Sequence, residues 1–235
     1  MSERIELKSS SLRVLAIGDT HFPYADSKLV SEVVKFAHDF KPTHIVQIGD
    51  LYDQYNFSKY PRSEMDTSRT EVFLGRGQSL DFWGAMPPGS AKFQLIGNHC
   101  IRMLKKIKAA APELEQMVKS YWDKIYQFKG VRTLADDRSE LVINDILFIH
   151  GHLSNLGDHV RINRQSTVVG HSHRGGVVYL RHKSDTLFEL NCGHLADDSK
   201  LPFAYTPQRT TFWTPGFGTV ETLKNGSVSA RFIPL

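Results

Sequence analysis

The chain has 235 residues, a 40% hydrophobic share, and 29 Lys and Arg against 25 Asp and Glu, for a net charge of +4. That is enough for one globular domain, expected to span residues 1–235, with a sizeable core. No run of about 18 apolar residues occurs, so no membrane span is expected; two cysteines exclude a disulfide framework, and the polar stretch Met1 to Ser11 is unlike a secretory leader, so the expected compartment is cytoplasmic.

Residues 12–17 read as a strand that runs into Gly18-Asp19-Thr20-His21. Asp26 or Ser27 caps a helix reaching Phe40, with Leu29, Val30, Val33, Val34, Ala37 and Phe40 on one face, and Lys41-Pro42 stops it. His44 to Ile48 is the next strand, ending at Gly49-Asp50, and this strand–helix–strand unit implies a parallel sheet. Residues 51–70, where Tyr52, Tyr55, Phe57, Tyr60 and Pro61 interleave with Lys59 and Arg62, read as a loop beside the site. A weaker helical pattern from Glu71 to Trp83 is interrupted by Gly75 and Gly77 and closed by Met86-Pro87-Pro88-Gly89. Residues 92–96 form a strand ending in Gly97-Asn98-His99-Cys100. Helices follow at 101–109 and 112–126; the first carries Arg102, Lys105, Lys106 and Lys108, either a solvated basic face or a contact for a phosphate backbone. Beyond Gly130 helical patterns nearly vanish. Residues 141–143 and 146–149 flank Asn144-Asp145, a two-residue hairpin turn, strands are expected near 167–169, 177–180 and 186–191, and Asn225-Gly226 turns a last hairpin.

Five of these strands end alike, in Gly, Asp, Asn or His. Together they present Asp19, His21, Asp50, Asn98, His99, His150, His152, His171 and His173 at strand C-termini, where open α/β sheets place their ligand sites. Carboxylate, imidazole and amide groups without paired thiolates suit first-row divalent ions such as manganese, iron, zinc or nickel, and not a structural zinc. The candidates exceed what one ion needs. Two ions about 3.5–4 Å apart with one bridging carboxylate would use them all, generate hydroxide at neutral pH and clamp a phosphate oxygen. The expected chemistry is therefore hydrolysis of a phosphate ester by a metal-bridging hydroxide, and the mildly basic charge favours such a substrate.

The order Asp19-x-His21, Gly49-Asp50-x-x-Asp53, Gly97-Asn98-His99, His150 and Gly170-His171-x-His173 resembles the calcineurin-like metallophosphoesterase superfamily over residues 14–173, in the style of its compact bacterial and bacteriophage members. The resemblance implies an α/β fold of two mixed β-sheets packed as a sandwich and flanked by helices. It implies that Asp19, His21 and His173 bind one divalent metal, that Asn98, His150 and His171 bind a second, and that Asp50 bridges the two, with manganese the expected ion. It further implies a catalytic role for His99, as general acid to the leaving oxygen or as a phosphate-binding group. Asn98, His99 and Arg102 would then contact substrate. For a bacteriophage-encoded chain the compartment becomes the host cytoplasm. The family usually carries Asp or Glu after Gly-Asn-His; Cys100 stands there instead, so either another acid supports His99 or the role of His99 differs.

Three functions stay open. The first is a phosphodiesterase, in one form a nuclease on DNA or RNA, motivated by Lys105, Lys106 and Lys108 and by the aromatic loop at 52–62. The second is a phosphomonoesterase on phosphoprotein or nucleotide, and the third a catalytically inert binding module on the same fold. His152 reads as an exposed neighbour of His150, Asp53 as a supporting or structural acid, and His194 as a candidate for substrate contact. The segment Phe203 to Phe217, with Tyr205, Phe212 and Trp213, serves sheet packing or base stacking. His38, His44, His159 and His182 read as structural or exposed, and the oligomeric state is open.

Overall fold

In the first part of the chain the elements are β1 (Arg4–Leu7), β2 (Arg13–Ile17), α1 (Ser27–Phe40), β3 (His44–Gln47), α2 (Ser68–Ala85), β4 (Ala91–Gln94), α3 (Arg102–Ala110), α4 (Glu115–Ile125) and β5 (Val131–Thr133). The second part adds β6 (Glu140–Ile143), β7 (Ile146–Phe148), α5 (Asp158–Asn163), β8 (Thr167–Val169), β9 (Gly176–His182), β10 (Asp185–Asn191), β11 (Gly216–Thr222) and β12 (Val228–Pro234). They come from a computed structural model that describes residues 2–58, 68–182, 185–200, 203 and 212–235. Lys59, Tyr60, Pro61 and Arg62 of the aromatic loop, and Tyr205 of the later aromatic segment, lie outside the described residues.

Two six-stranded sheets result, ordered β12-β11-β2-β3-β4-β5 and β1-β6-β7-β8-β10-β9. In the first, β2 to β5 run parallel and β11 pairs antiparallel to β2; in the second, β7, β8 and β10 run parallel between antiparallel neighbours. The sheets exchange chain ends: β1 joins the sheet of the second half, while β11 and β12 return to the sheet of the first. That exchange makes one domain of a βαβ-like first part and a β-rich second part.

Alternation along each strand builds the layers. Val14, Ala16, Val46 and Phe93 face the other sheet and meet Leu141, Ile143, Phe148, Val168 and Leu190. Leu15, Ile17 and Ile45 face the opposite way, beneath helices that contribute Val33, Ala37, Phe82, Trp83, Met103 and Trp122. Each Val, Leu, Ile, Phe and Met side chain among these is worth about 1.5–3 kcal/mol relative to exposure. The expected cap of α1 is Asp26, whose carboxylate accepts from the Lys28 and Leu29 N–H groups, and the helix ends with Lys41 at a φ of 50°.

α2 is longer and firmer than its glycines suggest. A Cβ on Gly75 would come within 3.1 Å of the Tyr52 ring, so this glycine lets the helix lie close to the loop rather than breaking it. Glu71 of α2 accepts from the Tyr55 and Asn56 N–H groups at 2.5 and 3.0 Å, pinning the short 3₁₀ turn Tyr55–Phe57. Sequence periodicity does not reveal β1, β5 or α5; each has three to six residues, too few to establish a period. The Asn144-Asp145 turn has both residues at positive φ, 49° and 63°, as a two-residue hairpin requires.

Candidate metal centre

The parallel strands of both sheets direct their C-terminal ends to one edge of the sandwich, and the turns beyond them carry the polar residues. Asp19 and His21 follow β2, Asp50 and Asp53 follow β3, and Asn98 and His99 follow β4. From the second sheet come His150 after β7, His171 and His173 after β8, and His194 after β10. The turns are tight: His21, Asp50, His171 and His173 all have φ between 49° and 68°, a region that L side chains adopt at a cost. At Gly97 a Cβ would lie 2.1 Å from Asp50 Oδ1, so glycine there lets the Asn98-His99 turn pass close to the Asp50 carboxylate.

All seven residues of the sequence-derived ligand set stand together, and their acceptor atoms converge in two groups. In the first, the His21 Nδ1–H donates to Asp53 Oδ2 at 2.9 Å, which turns the lone pair of its Nε2 toward His173 Nε2, 3.0 Å away. Asp19 Oδ1 faces the same space, 3.8 Å from His173 Nε2, and is fully buried with no hydrogen-bond partner among the described residues. In the second, the His150 Nδ1–H donates to the Ile48 carbonyl at 2.9 Å, so Nε2 points at Asn98 Oδ1 and Asp50 Oδ2, 3.0 and 3.2 Å away. His171 Nδ1 comes within 2.8 Å of the same Asn98 oxygen. Lone pairs that face one another in a buried site repel unless a cation or a proton stands between them. Ligand atoms of Asp19, His21 and His173, and again of Asp19, Asp50 and His150, lie within 4.8 Å of one another. The donor set therefore fits divalent cations on this structure's own geometry.

Electrostatics follow from the same crowding. Burial pushes the Asp19 carboxyl up to about 7 although His150 opposes it. Burial works against His150 too, but Asp50 raises the imidazole to about 9, so without metal a proton takes the cation's place between them. Burial lowers His171 to about 4, with His150 adding to it, and holds His173 well below the ordinary imidazole range, leaving both neutral as metal ligands must be.

His99 sits at the mouth. Its backbone N–H donates to Asp50 Oδ1 at 2.8 Å, its Nδ1–H to Asp53 Oδ2 at 3.1 Å, and its Nε2 accepts from Arg102 Nη2 at 2.8 Å. Arg102 Nη1 also reaches Asp53 Oδ1 at 3.1 Å, leaving its side chain 20% exposed. Asp53 is thus the acid that supports His99 in place of the residue at Cys100. Burial raises the Asp53 carboxyl, yet His99 and the hydrogen bond from His21 outweigh it and hold the group well below the usual carboxylate range. Cys100 lies fully buried in the helix-side core with its thiol pushed up to about 11 by burial, and is no nucleophile.

Two supporting residues were not singled out from sequence. Gln47 is fully buried, accepts from the Gly49 N–H at 2.8 Å and donates to Thr20 Oγ1 at 3.1 Å, fixing two of the turns. Asn191 donates to the Gly170 carbonyl and Ser172 Oγ, holding the His171–His173 turn. Each is a polar residue at the last position of its strand. His152 is exposed, and its backbone N–H donates to the buried ring of His159. His194 is fully buried with neither ring nitrogen hydrogen-bonded among the described residues, its Nδ1 3.9 Å from Asp198 Oδ1, and its ring stacked 5.2 Å from that of His173.

Comparison with known proteins gives the family of the chain. Residues 12–211 match the calcineurin-like phosphoesterase family. The chain is 25% identical to the gene 54 protein of Mycobacterium phage D29, over 96% of this chain and 94% of that protein, and 23% identical, with the same coverage, to the gene 54 protein of phage L5. Among solved structures, Yfce, a phosphoesterase from E. coli, is similar with 13% identity and a TM-score of 0.43 over 94% of this chain and 98% of its own. Vacuolar protein sorting 29 from Cryptosporidium parvum is similar with 14% identity and a TM-score of 0.42 over 96% of this chain and 98% of its own. The chain belongs to the calcineurin-like phosphoesterase family.

Proposed function

We propose that this chain is a two-metal phosphodiesterase whose substrates include nucleic acid. The observation that carries the reading is the pair of convergent acceptor groups, with the orphaned, buried Asp19 Oδ1 between them. Asp19, His21 and His173 would hold one divalent cation and Asn98, His150 and His171 the other, with Asp50 shared; manganese is the first choice, and iron, zinc and nickel suit the same donors. When bound, the pair supplies charge neutralisation at the phosphate and a water of lowered pKa.

The protein's own groups do the rest. Arg102, already at the mouth, binds a non-bridging phosphate oxygen. Once substrate takes up the Arg102 donors, His99 Nε2 is free to carry a proton to the leaving oxygen, while Asp53 holds the ring through Nδ1. A cleft of about 450 Å³ runs from Asn98, His150 and His171 past Arg138, Ser139 and His152, leaving room for a group on the far side of the phosphate; that room favours a diester over a monoester. The unpaired thiols of Cys100 and Cys192 fit a reducing cytoplasm, the host's for a phage-encoded chain.

The test is hydrolysis of bis-p-nitrophenyl phosphate and p-nitrophenyl phosphate by metal-stripped protein titrated with manganese, nickel, zinc and magnesium. Metal-restored cleavage of the diester is expected. A strong preference for the monoester would shift the function to a phosphomonoesterase, and silence with full metal occupancy would make the protein a binding module.

A further inference from the structure

The chain has three tryptophans, and they divide sharply. Trp83 and Trp122 are 5% and 2% exposed in the helix-side core. Trp213 is only half-buried, with its ring centroid 4.1 Å from that of His173 and 5.6 Å from Phe203, whose own ring lies 5.4 Å from His21. Aromatic rings therefore wall the side of the site that carries the first acceptor group. The wall is held in register by the backbone, because the Thr214 N–H donates to the His173 carbonyl at 2.8 Å. Beside Trp213, Phe212 is 65% exposed, and the guanidinium carbon of Arg174, the residue after His173, stands 5.5 Å from its ring centre.

A half-open indole, an exposed phenyl ring and an arginine, tied to a metal-binding turn, form a surface that a flat aromatic group carrying a phosphate would match. Stacking supplies the contact with the ring, and Arg174 supplies attraction for the charge. We propose that Trp213 and Phe212, with Arg174, form a stacking subsite for the nucleobase next to the scissile phosphate. The substrate class is then single-stranded nucleic acid, because a base within a duplex already has both faces covered. This inference rests on the phosphodiesterase reading, which places the phosphate at His173 and its neighbours.

The test uses the metal-loaded full chain and reads tryptophan fluorescence by stopped flow before turnover. The probes are oligothymidylate and an abasic deoxyribose-phosphate oligomer of the same length and charge. Oligothymidylate is expected to quench Trp213 and to bind at least about 5-fold more tightly than the abasic oligomer, since each stacked base contributes about 1–3 kcal/mol. Trp213→Phe should abolish the quench yet keep the preference for bases, whereas Trp213→Ala should lose most of that preference. Equal binding of the two oligomers, or a quench that persists in Trp213→Phe, would overturn the subsite. The two claims fail separately: hydrolysis of bis-p-nitrophenyl phosphate without base preference removes the subsite and leaves the enzyme, while base-dependent quenching in a protein that cleaves no diester leaves the subsite and removes the enzyme.

Discussion

From the first sheet the shared edge receives every carboxylate of the centre, Asp19, Asp50 and Asp53, together with the Asn98 amide, His21 and His99. The second sheet adds imidazoles alone: His150, His171 and His173. Neither half holds both acceptor groups, although ligand atoms of His21, Asp53 and His99 of the first sheet also lie within 4.8 Å of one another. The first gathers the negative charge, and the second supplies imidazoles with no carboxylate of their own to draw a cation in. Each of the two acceptor groups takes atoms from both, so the affinity of a cation held there would depend on how the two sheets meet, and its binding would stabilise the closed sandwich in return.

The comparison can be broken first on the carboxylate side. Asp50→Asn removes the carboxylate proposed to bridge the two cations, and diester hydrolysis should fall by more than about 10³-fold. His99→Ala should slow turnover by about 10²–10⁴-fold, with both cations still present by elemental analysis; loss of metal would mean that His99 is a ligand. Asp53→Asn loosens the ring of His21, and affinity on that side should drop about 10–100-fold in a calorimetric titration. The dependence on sheet contact is sharpened by a pair of core variants. Phe148→Ala, between the sheets, and Phe82→Ala, under the helices, should each cost about 3–5 kcal/mol in urea unfolding, but only Phe148→Ala should also weaken manganese binding. The smallest effect is at the thiols. Both cysteines are fully buried and burial raises both thiols, so Ellman's reagent at pH 8 should label neither until the protein is unfolded.

The fold class is legible in the sequence, and so are the strand ends that gather at one edge. A glycine followed by Asp, Asn or His after an apolar run marks a strand that stops at an edge, and that pattern locates Asp19, Asp50, Asn98 and His171. The support behind those residues leaves less trace. Asp53 reads in sequence as a supporting or structural acid, and folding alone brings its Oδ2 between His21 and His99. Gln47 and Asn191 act through backbone groups of neighbouring turns, which no side-chain motif records. Likewise β1 and β5 owe their state to pairing with distant β6 and β4, not to local propensity.

The central claim, two cation sites completed across two sheets, is tested most directly by calorimetric titration of manganese into the metal-stripped full chain, beside Asp50→Asn. Two equivalents per chain are expected for the wild-type protein, with a melting temperature that rises as manganese is added, and neither site should retain its affinity in Asp50→Asn. A single equivalent, or binding unchanged by Asp50→Asn, would contradict the account.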